Sequence, residues 1–411
     1  VSAAYVETGT LCDKASWETA EYNYNWGLGA MNASSAYALG FYGQNTTTGV
    51  MDSGAWLGNP DLDTPRITAT HVTGVYGSSG NRYPQSIYAT IQKGVVPTAA
   101  EGQPFTEGEE FDVKGDYTLG LNDAHGTQVT GVIGAERNGE YGHGVAFKAN
   151  VVVGNTGATD NNNYGPFQDY NYYFKGYKAL ADAVNAGNGE YRGGMVNNSY
   201  GTNTKIYSSG GHRLTPDEMS ELLAGSGNYD RASAAYAVTF SGDYSFLGLN
   251  DVPGADQYST NPSAFEWEYM YFKLKYGDKP SFLDGAYDAV KGTNVILSWA
   301  AGNQDRGTPY LKGLYPYFHP EAEKNWLNAV GVMQTRGDND QYMQATYCKA
   351  GLAKWWSMSG PTAYPGIGTT YVTTDLENGR LTTTGFNGTS ASDPQISGAF
   401  TVLQSRYPSM T

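Results

Sequence analysis

The sequence predicts an α/β fold with a mostly parallel sheet, helices on both of its faces and long loop insertions. Two observations support this prediction. Strand-like and helix-like segments alternate along most of the chain, which is the order of parallel strands joined by crossover helices. The strand-like segments, such as Val295 to Ala300, are also continuous apolar runs, as expected of strands that helices cover on both faces.

The first half of the chain begins the alternation. Residues 31–41 have the pattern of a short helix closed by Gly40, and residues 50–54 that of a buried strand end followed by a turn. Residues 60–120 are rich in Gly, Pro, Thr and Tyr, and we expect a decorated loop insertion there. A helix then begins at His125.

The second half resumes the alternation of strand and helix. Residues 202–282 interrupt it and are expected to form an insertion lying on the sheet core. Around that insertion, apolar runs predict strands and 3.6-residue spacing predicts helices. The expected elements are a strand at 146–154, a helix at 172–186, a strand at 195–201, a helix at 283–291, strands at 295–300 and 327–333, and turn-rich segments at 334–386.

Composition limits the functions that the chain can have. Its 411 residues can hold one large domain or two smaller ones, and we predict a single domain over residues 1–411. The 40 acidic and 25 basic side chains leave a formal net charge of -15. This charge disfavours nucleic acid as a partner, because phosphate backbones attract clustered Lys and Arg. No run approaches the roughly 18 apolar residues of a membrane-spanning helix.

Two cysteines, Cys12 and Cys348, are far apart in the sequence and belong to no CxxC pair or Cys/His cluster. Zinc and thiol chemistry are therefore poorly supported. One long-range disulfide and two free thiols are both compatible with this pattern. No spaced set of carboxylates identifies a calcium site, since Asp160 and the asparagines after it are as typical of a plain turn.

Several polar side chains fall where ligands bind in open parallel sheets. Asp52 and Asn303 each follow a strand end, and ligand sites of such sheets gather outside the carboxyl ends of strands. His125 precedes a Gly-Thr turn at the start of a helix. Purely structural roles are also compatible with these positions, because an aspartate after a strand commonly caps its own loop and a lone histidine is usually structural.

Residues 386–398, with the sequence FNGTSASDPQISG, place Ser390 at the turn into a helix. We expect Pro394 within the first turn, where its missing N–H removes no intrahelical bond. A hydroxyl at a helix N-terminus faces unpaired backbone N–H groups and the positive end of the helix dipole, which favour developing negative charge. A capped structural helix would show the same short motif. The expected apolar face of the helix consists of Ile396, Ala399, Val402 and Leu403.

Taken in chain order, Asp52, His125, Asn303 and Ser390 resemble the active-site residues of the subtilisin-like serine proteases, the subtilase family. The resemblance implies a three-layer subtilisin-like fold and a serine endopeptidase that cleaves polypeptides. Five stretches in the right order argue against coincidence. They are VMDSG at 50–54, HGTQVTGVIG at 125–134, NNSYG at 197–201, AAGN at 300–303 and NGTSASDP at 387–394.

The resemblance also implies a role for each matching residue. Ser390 would attack the scissile carbonyl, His125 would accept and return its proton, and Asp52 would orient the imidazole. Asn303 would donate its side-chain amide to the oxyanion. No cofactor is implied for the chemistry, although structural calcium is common in the family. The implied substrate-binding residues, the first three of which resemble a segment that pairs with peptide backbone, are Ser199, Tyr200, Gly201, Ala301 and Gly302.

Some features depart from the family pattern. Residues 391–393, Ala-Ser-Asp, stand where many subtilases carry Met-Ala-Thr, and the related sedolisins also show Ser-Ala-Ser after the nucleophile. Sedolisins use Glu in place of the histidine, so His125 favours a triad that works at neutral pH. A catalytically silent binding or adhesion module on the same fold is the alternative function, with the Tyr-rich insertion as its contact surface.

The expected setting is the outside of a bacterial cell. The N-terminal arm before residue 50 is similar to the passenger domains of Gram-negative autotransporter subtilases. The sequence runs to residue 411, only 21 residues past Ser390, whereas family members usually continue further. We therefore expect a secreted or surface-displayed protein with a missing C-terminal part. A propeptide or that further domain is an expected partner, and the catalytic domain is expected to be monomeric.

Overall fold

The computed structural model describes most of the sheet and the helices against it. Gly201 and nearly all of the insertion expected at 202–282 lie outside the described residues. The described residues are 5–81, 104–116, 124–156, 169–189, 192–200, 280–303, 309–334, 342–344, 346–362, 373–375, 380–382 and 386–410.

The strands of the described residues are numbered here in chain order. They are β1 (Thr47–Asp52), β2 (Ile67–Ala69), β3 (His71–Val75), β4 (Gly80–Asn81), β5 (Pro104–Phe105), β6 (Glu110–Lys114), β7 (Asn150–Asn155), β8 (Gly194–Asn198), β9 (Val295–Ala300), β10 (Trp326–Gln334), β11 (Tyr342–Gln344), β12 (Ser357–Pro361), β13 (Thr373–Asp375) and β14 (Arg380–Thr382).

The helices of the described residues are numbered in the same way. Three short 3-10 helices accompany them, at Ala15–Trp17, Pro320–Asn325 and Gly351–Trp356. The α-helices are α1 (Ala20–Asn23), α2 (Trp26–Ala30), α3 (Ala33–Ala38), α4 (His125–Gly134), α5 (Tyr170–Asn188), α6 (Phe282–Val290), α7 (Leu311–Phe318) and α8 (Thr389–Arg406).

One eight-stranded sheet organises the described part of the chain. Its order is β11-β10-β9-β8-β1-β7-β2, and β12 also pairs with β10. Within this sheet, every pairing is parallel except that of β10 with β11. The α/β class and the mostly parallel sheet predicted from the sequence are therefore confirmed.

Helices cover both faces of the sheet, as the apolar strands predict. Successive strand residues point to opposite faces, and the middle of β1 follows this rule. Val50 belongs to an apolar cluster with Val132 and Ile133 of α4, whereas Met51 belongs to a second cluster with Tyr177 and Leu180 of α5. Both faces of this interior strand are thus removed from water.

Element positions agree with the sequence prediction to within a few residues. The strand at 295–300 is confirmed with the expected bounds. The strand expected at 146–154 begins later, at Asn150, because residues 146–149 form a turn packed against the N-terminal helices. Three strands of the main sheet were not predicted: β2, inside the expected insertion at 60–120, and β11 and β12, inside the turn-rich segment.

Two expectations for helix α8 are wrong. Thr389 is its first residue, so Pro394 lies in the second turn rather than the first, and the carbonyl of Ser390 loses its intrahelical partner. Leu403 is exposed, whereas the polar Thr401 and Gln404 are buried. Ile396 and Val402 of the expected apolar face are buried and Ala399 packs against the core, but burial is not confined to that face, since all residues from 389 to 398 are buried.

Neither cysteine forms a disulfide; Cys12 is exposed and Cys348 is buried. The disulfide that the sequence left open is therefore absent between them. Among the described residues, no helix combines the length and apolar character needed to cross a membrane.

The buried Arg137 joins the chain after α4 to the N-terminal segment through an ion pair with the exposed Glu7. Arg137 donates to the Glu7 carboxylate and, through Nη1, to Nε2 of His143 at 2.9 Å. Nδ1 of His143 donates to the carbonyl of Gly144, which leaves Nε2 as the acceptor. Burial and the neighbouring positive charge of Arg137 lower the pKa of His143 to about 3. The folded protein therefore holds this imidazole neutral.

We expect His143→Gln to reduce the loss of stability in acid. The unfolded histidine binds a proton near its ordinary pKa of 6.5, but the folded one does so only near 3. Stability is therefore lost as the pH falls through this window, by about 1.4 kcal/mol per pH unit. Gln does not titrate, so the free energy of unfolding from urea titrations between pH 6 and 4 should fall less steeply.

The exposed His71→Gln is the control for the loss of an imidazole. A slope in His143→Gln equal to that of the wild type would contradict the neutral, buried state of His143.

Candidate active site

The carboxyl ends of three neighbouring strands carry the predicted site residues. Asp52 is the last residue of β1, Ser199 directly follows β8, and Asn303 comes three residues after β9. These strands are adjacent and parallel, and such strands lie about 4.8 Å apart. The topology therefore brings residues that are far apart in the sequence to one edge of the sheet.

Asp52 and His125 are in direct contact. Nδ1 of His125 lies 2.9 Å from Oδ1 of Asp52, and the backbone N–H of Ser53 donates to the same oxygen. An ionised carboxylate can only accept, so Nδ1 must carry the proton and Nε2 the lone pair. Asp52 is fully buried, whereas the His125 side chain is 14% exposed. The imidazole is thus oriented by its Nδ1 proton towards Asp52.

The turn after β1 holds the start of α4 in place. The Ser53 hydroxyl accepts from the backbone N–H of Gly126, and the Thr127 hydroxyl accepts from that of Trp56. Gly54 has a φ of +83°, a conformation that favours glycine. These contacts join the strand end to the first turn of the helix, so Asp52 and His125 meet through rigid elements.

Phe386 packs against the imidazole from the other side. Its ring lies edge-on to His125, with 5.4 Å between the ring centroids, and it is almost fully buried. Aromatic pairs favour this geometry. No sequence pattern gave Phe386 a role, because only the fold brings it to the histidine.

Ser390 is the second residue of α8 and is 8% exposed. The first backbone N–H groups of a helix have no intrahelical acceptor, which supports negative charge at this position. Its hydroxyl donates to the backbone carbonyl of Ser199 at 2.6 Å. The serine is therefore at the expected helix start, with its hydroxyl held by the segment that follows β8.

Asn303 is oriented by the residue before the serine. Its Oδ1 accepts from the backbone N–H of Thr389 at 2.8 Å and from the Thr389 hydroxyl at 3.0 Å. The same hydroxyl accepts from the backbone N–H of Gly302. Because both donors bind Oδ1, the Nδ2 amide points away from them and can serve as a donor. The Thr389 hydroxyl was not among the residues predicted from the sequence.

The other residues predicted to bind substrate offer little beyond their backbone. The side chains of Ser199 and Tyr200 are buried. The N–H of Ala301 donates to Ala329, and its carbonyl accepts from Tyr310, so both backbone groups of Ala301 are paired within the protein. Gly201 lies outside the described residues.

No group of three or more His, Cys, Asp or Glu side chains in the described ranges is arranged to hold a metal ion.

The amino-acid sequence also matches a known protein family. The family model described as the subtilase family matches residues 43–411, which is most of the chain and includes every residue of the site. The chain belongs to the subtilase family.

Two curated relatives of this subtilase are named extracellular serine proteases of Serratia marcescens. One is 24% identical over 428 aligned positions and the other 23% over 427, and each alignment covers 100% of this chain. A shorter match of 123 residues, 31% identical, relates 30% of the chain to 12% of serotype-specific antigen 1 of Mannheimia haemolytica. The subtilase spans 32% of the length of each Serratia relative.

Solved structures also align with this subtilase. The S41 psychrophilic protease has a TM-score of 0.42 and 15% identity, with 89% of this chain and 79% of that one covered. Sphericase has a TM-score of 0.42 and 14% identity, with 90% and 80% covered.

We expect Gly126→Ala to damage the junction that joins Asp52 to His125 in this subtilase. A Cβ at Gly126 would lie 2.2 Å from the backbone oxygen of Gly54, which cannot move without displacing the strand end. Such overpacking costs about 1–3 kcal/mol of unfolding free energy, measurable by urea denaturation.

The matched control is Gly29→Ala, in helix α2, where a Cβ meets nothing within 4 Å. Alanine is the better helix former there, so stability should stay equal or rise by up to about 1 kcal/mol. Equal stability of Gly126→Ala and the wild type would contradict the close approach of α4 to the β1 turn.

Proposed function

We propose that this chain is a serine endopeptidase that hydrolyses polypeptides through Asp52, His125 and Ser390. The observation that supports this function best is the hydrogen bond between Asp52 and His125 at the sheet edge where α8 presents Ser390. A buried carboxylate that fixes the imidazole tautomer leaves Nε2 as a base. Membership of the subtilase family supports the same chemistry.

In the proposed reaction, Oγ of Ser390 attacks the scissile carbonyl carbon while Nε2 of His125 takes the hydroxyl proton. The imidazolium, stabilised by Asp52, then returns the proton to the leaving amine. The Ser390 hydroxyl donates to Ser199 in the resting state. In the proposed reaction this hydroxyl leaves the Ser199 carbonyl by rotation about χ1 to face the imidazole.

Asn303 and the start of α8 supply the proposed oxyanion site. As the carbonyl carbon becomes tetrahedral, its oxygen gains negative charge that fixed donors stabilise. The Nδ2 amide of Asn303 is oriented by the two hydrogen bonds from Thr389 to Oδ1. The backbone N–H of Ser390, in the first turn of the helix, is the second donor.

The proposed substrate is an extended polypeptide that pairs with the segment after β8. The side chains of Ser199 and Tyr200 are buried, so a substrate meets only backbone groups there. Backbone pairing of this kind tolerates many sequences. We further propose secretion from a bacterial cell, which the names of the Serratia relatives support.

We expect the chain to hydrolyse unstructured casein, with activity rising through the range in which histidine usually titrates, about pH 6 to 7. Ser390→Ala should abolish this activity because it removes the nucleophile. The measurement is hydrolysis from pH 4 to 10, together with covalent labelling by a fluorophosphonate. Activity confined to acid pH would exclude the proposed base, and a wild type without activity or label would point to a silent binding module.

We expect Asn303→Ala to lower kcat by about 10²–10³, the range known for loss of one oxyanion donor in subtilisin, with KM nearly unchanged. The reason is that this amide meets charge only in the transition state. Steady-state kinetics on a peptide substrate tests the role. The exposed Asn23→Ala is the control, and a change confined to KM in Asn303→Ala would exclude the role.

A further inference from the structure

Helix α8 carries a buried carboxyl group that the proposed reaction does not use. Asp393 lies three residues after Ser390 and is fully buried. Its Oδ1 accepts from the Ser298 hydroxyl on β9. Its Oδ2 accepts from the backbone N–H of Asn198 at 3.3 Å and lies 3.5 Å from the Ser199 hydroxyl, which is closer, at 2.8 Å, to the side-chain amide of Asn197. One side chain thus joins the start of the helix to the ends of two strands.

Burying this carboxyl group costs free energy. Within the described ranges no Lys or Arg forms an ion pair with Asp393, and its donors are neutral. Burial raises the pKa of Asp393 to about 7, although the hydrogen bond from Ser298 opposes the rise. The charged groups that interact with it electrostatically are Asp52 and, when ionised, Tyr177. An apolar residue would fill this position at lower cost, so a role in positioning accounts better for the carboxyl group.

The side chain of Asn198 helps to fix the end of β8. Its Nδ2 donates to the carbonyl of Ser298 at 2.9 Å, and its Oδ1 accepts from the Tyr177 hydroxyl at 2.6 Å. The end of β8 is therefore fixed by β9, by α5 and, through Asp393, by α8. The next residue, Ser199, contributes the carbonyl that accepts the Ser390 hydroxyl.

We propose that Asp393 is a positioning residue that fixes the Ser199 segment relative to Ser390. It thereby sets the position of a bound peptide relative to the nucleophile. A closed path runs from the Ser390 hydroxyl to the Ser199 carbonyl, through the backbone to the Asn198 N–H, from there to Asp393, and back along one turn of α8. The closed path sets the distance between the nucleophile and the backbone that binds the substrate. Its kinetic consequence rests on the proposed peptidase function.

The test compares three variants: Asp393→Ala, Asp393→Asn and Thr401→Val. The measured quantity is kcat per active site. Active sites are counted by titration with a fluorophosphonate, which corrects for unfolded protein. Asp393→Ala should lower this kcat by about tenfold to a hundredfold, because small displacements of reacting groups cost that much. Asp393→Asn should restore it to within about threefold, since Asn can accept from Asn198 and donate to Ser298. Thr401→Val loses a buried hydrogen bond of the same helix, to Ser397, and should keep the wild-type kcat.

Ser298→Ala provides a milder variant should Asp393→Ala fail to fold. It removes the contact to Oδ1 and no backbone contact, and kcat per titrated site should fall by about threefold to tenfold. Wild-type kcat in Ser298→Ala and in any folded Asp393→Ala would overturn the proposal.

Hydrogen–deuterium exchange tests the positioning role of Asp393 without relying on peptidase activity. The Asn198 amide should exchange with deuterium faster in Asp393→Ala or Ser298→Ala than in Asp393→Asn and the wild type. Equal exchange in all of them would overturn the positioning role, whatever the activity. A wild type that neither cleaves casein nor takes the label, but shows this exchange pattern, would instead reject the peptidase function alone.

Discussion

The complete burial of the first turns of helix α8 is the constraint on which the candidate site depends. Residues 389–398 are all buried, and polar side chains among them make specific contacts. Gln395 donates to Asn25 of the N-terminal segment, while Thr389 contacts the chain after β9. A helix held in this way cannot shift to suit a ligand, so the freedom left to Ser390 is rotation of its side chain.

Parallel topology explains why the polar residues meet where they do. Strands β1, β8 and β9 are adjacent and run in one direction, so their carboxyl ends share an edge. Backbone groups at that edge have left the sheet ladder and can bind other partners, as the carbonyl of Ser199 does with the Ser390 hydroxyl. The helices α4 and α8 begin at the same edge, which adds two positive dipole ends to a site containing Asp52.

Two buried ionisable groups outside the proposed triad are held by hydrogen bonds. His143 is kept neutral between Arg137 and the carbonyl of Gly144. Asp393 accepts from neutral donors on two strands. Both groups cost solvation energy, and both join segments that are distant in the sequence. Specific geometry, more than stability, is what these contacts provide.

The sequence by itself determined the α/β class, the order of most elements and the candidate residues Asp52, His125, Asn303 and Ser390. These follow from local patterns: apolar runs, turn residues and short motifs that depend on neighbours along the chain. The tertiary structure alone decided the contact of Phe386 with His125, the bridge from Thr389 to Asn303 and the junction at Asp393. It also placed Pro394 in the second turn of α8 and exposed Leu403. The contacts of Phe386, Thr389 and Asp393 join residues of separate strands and helices, so no local pattern encodes them.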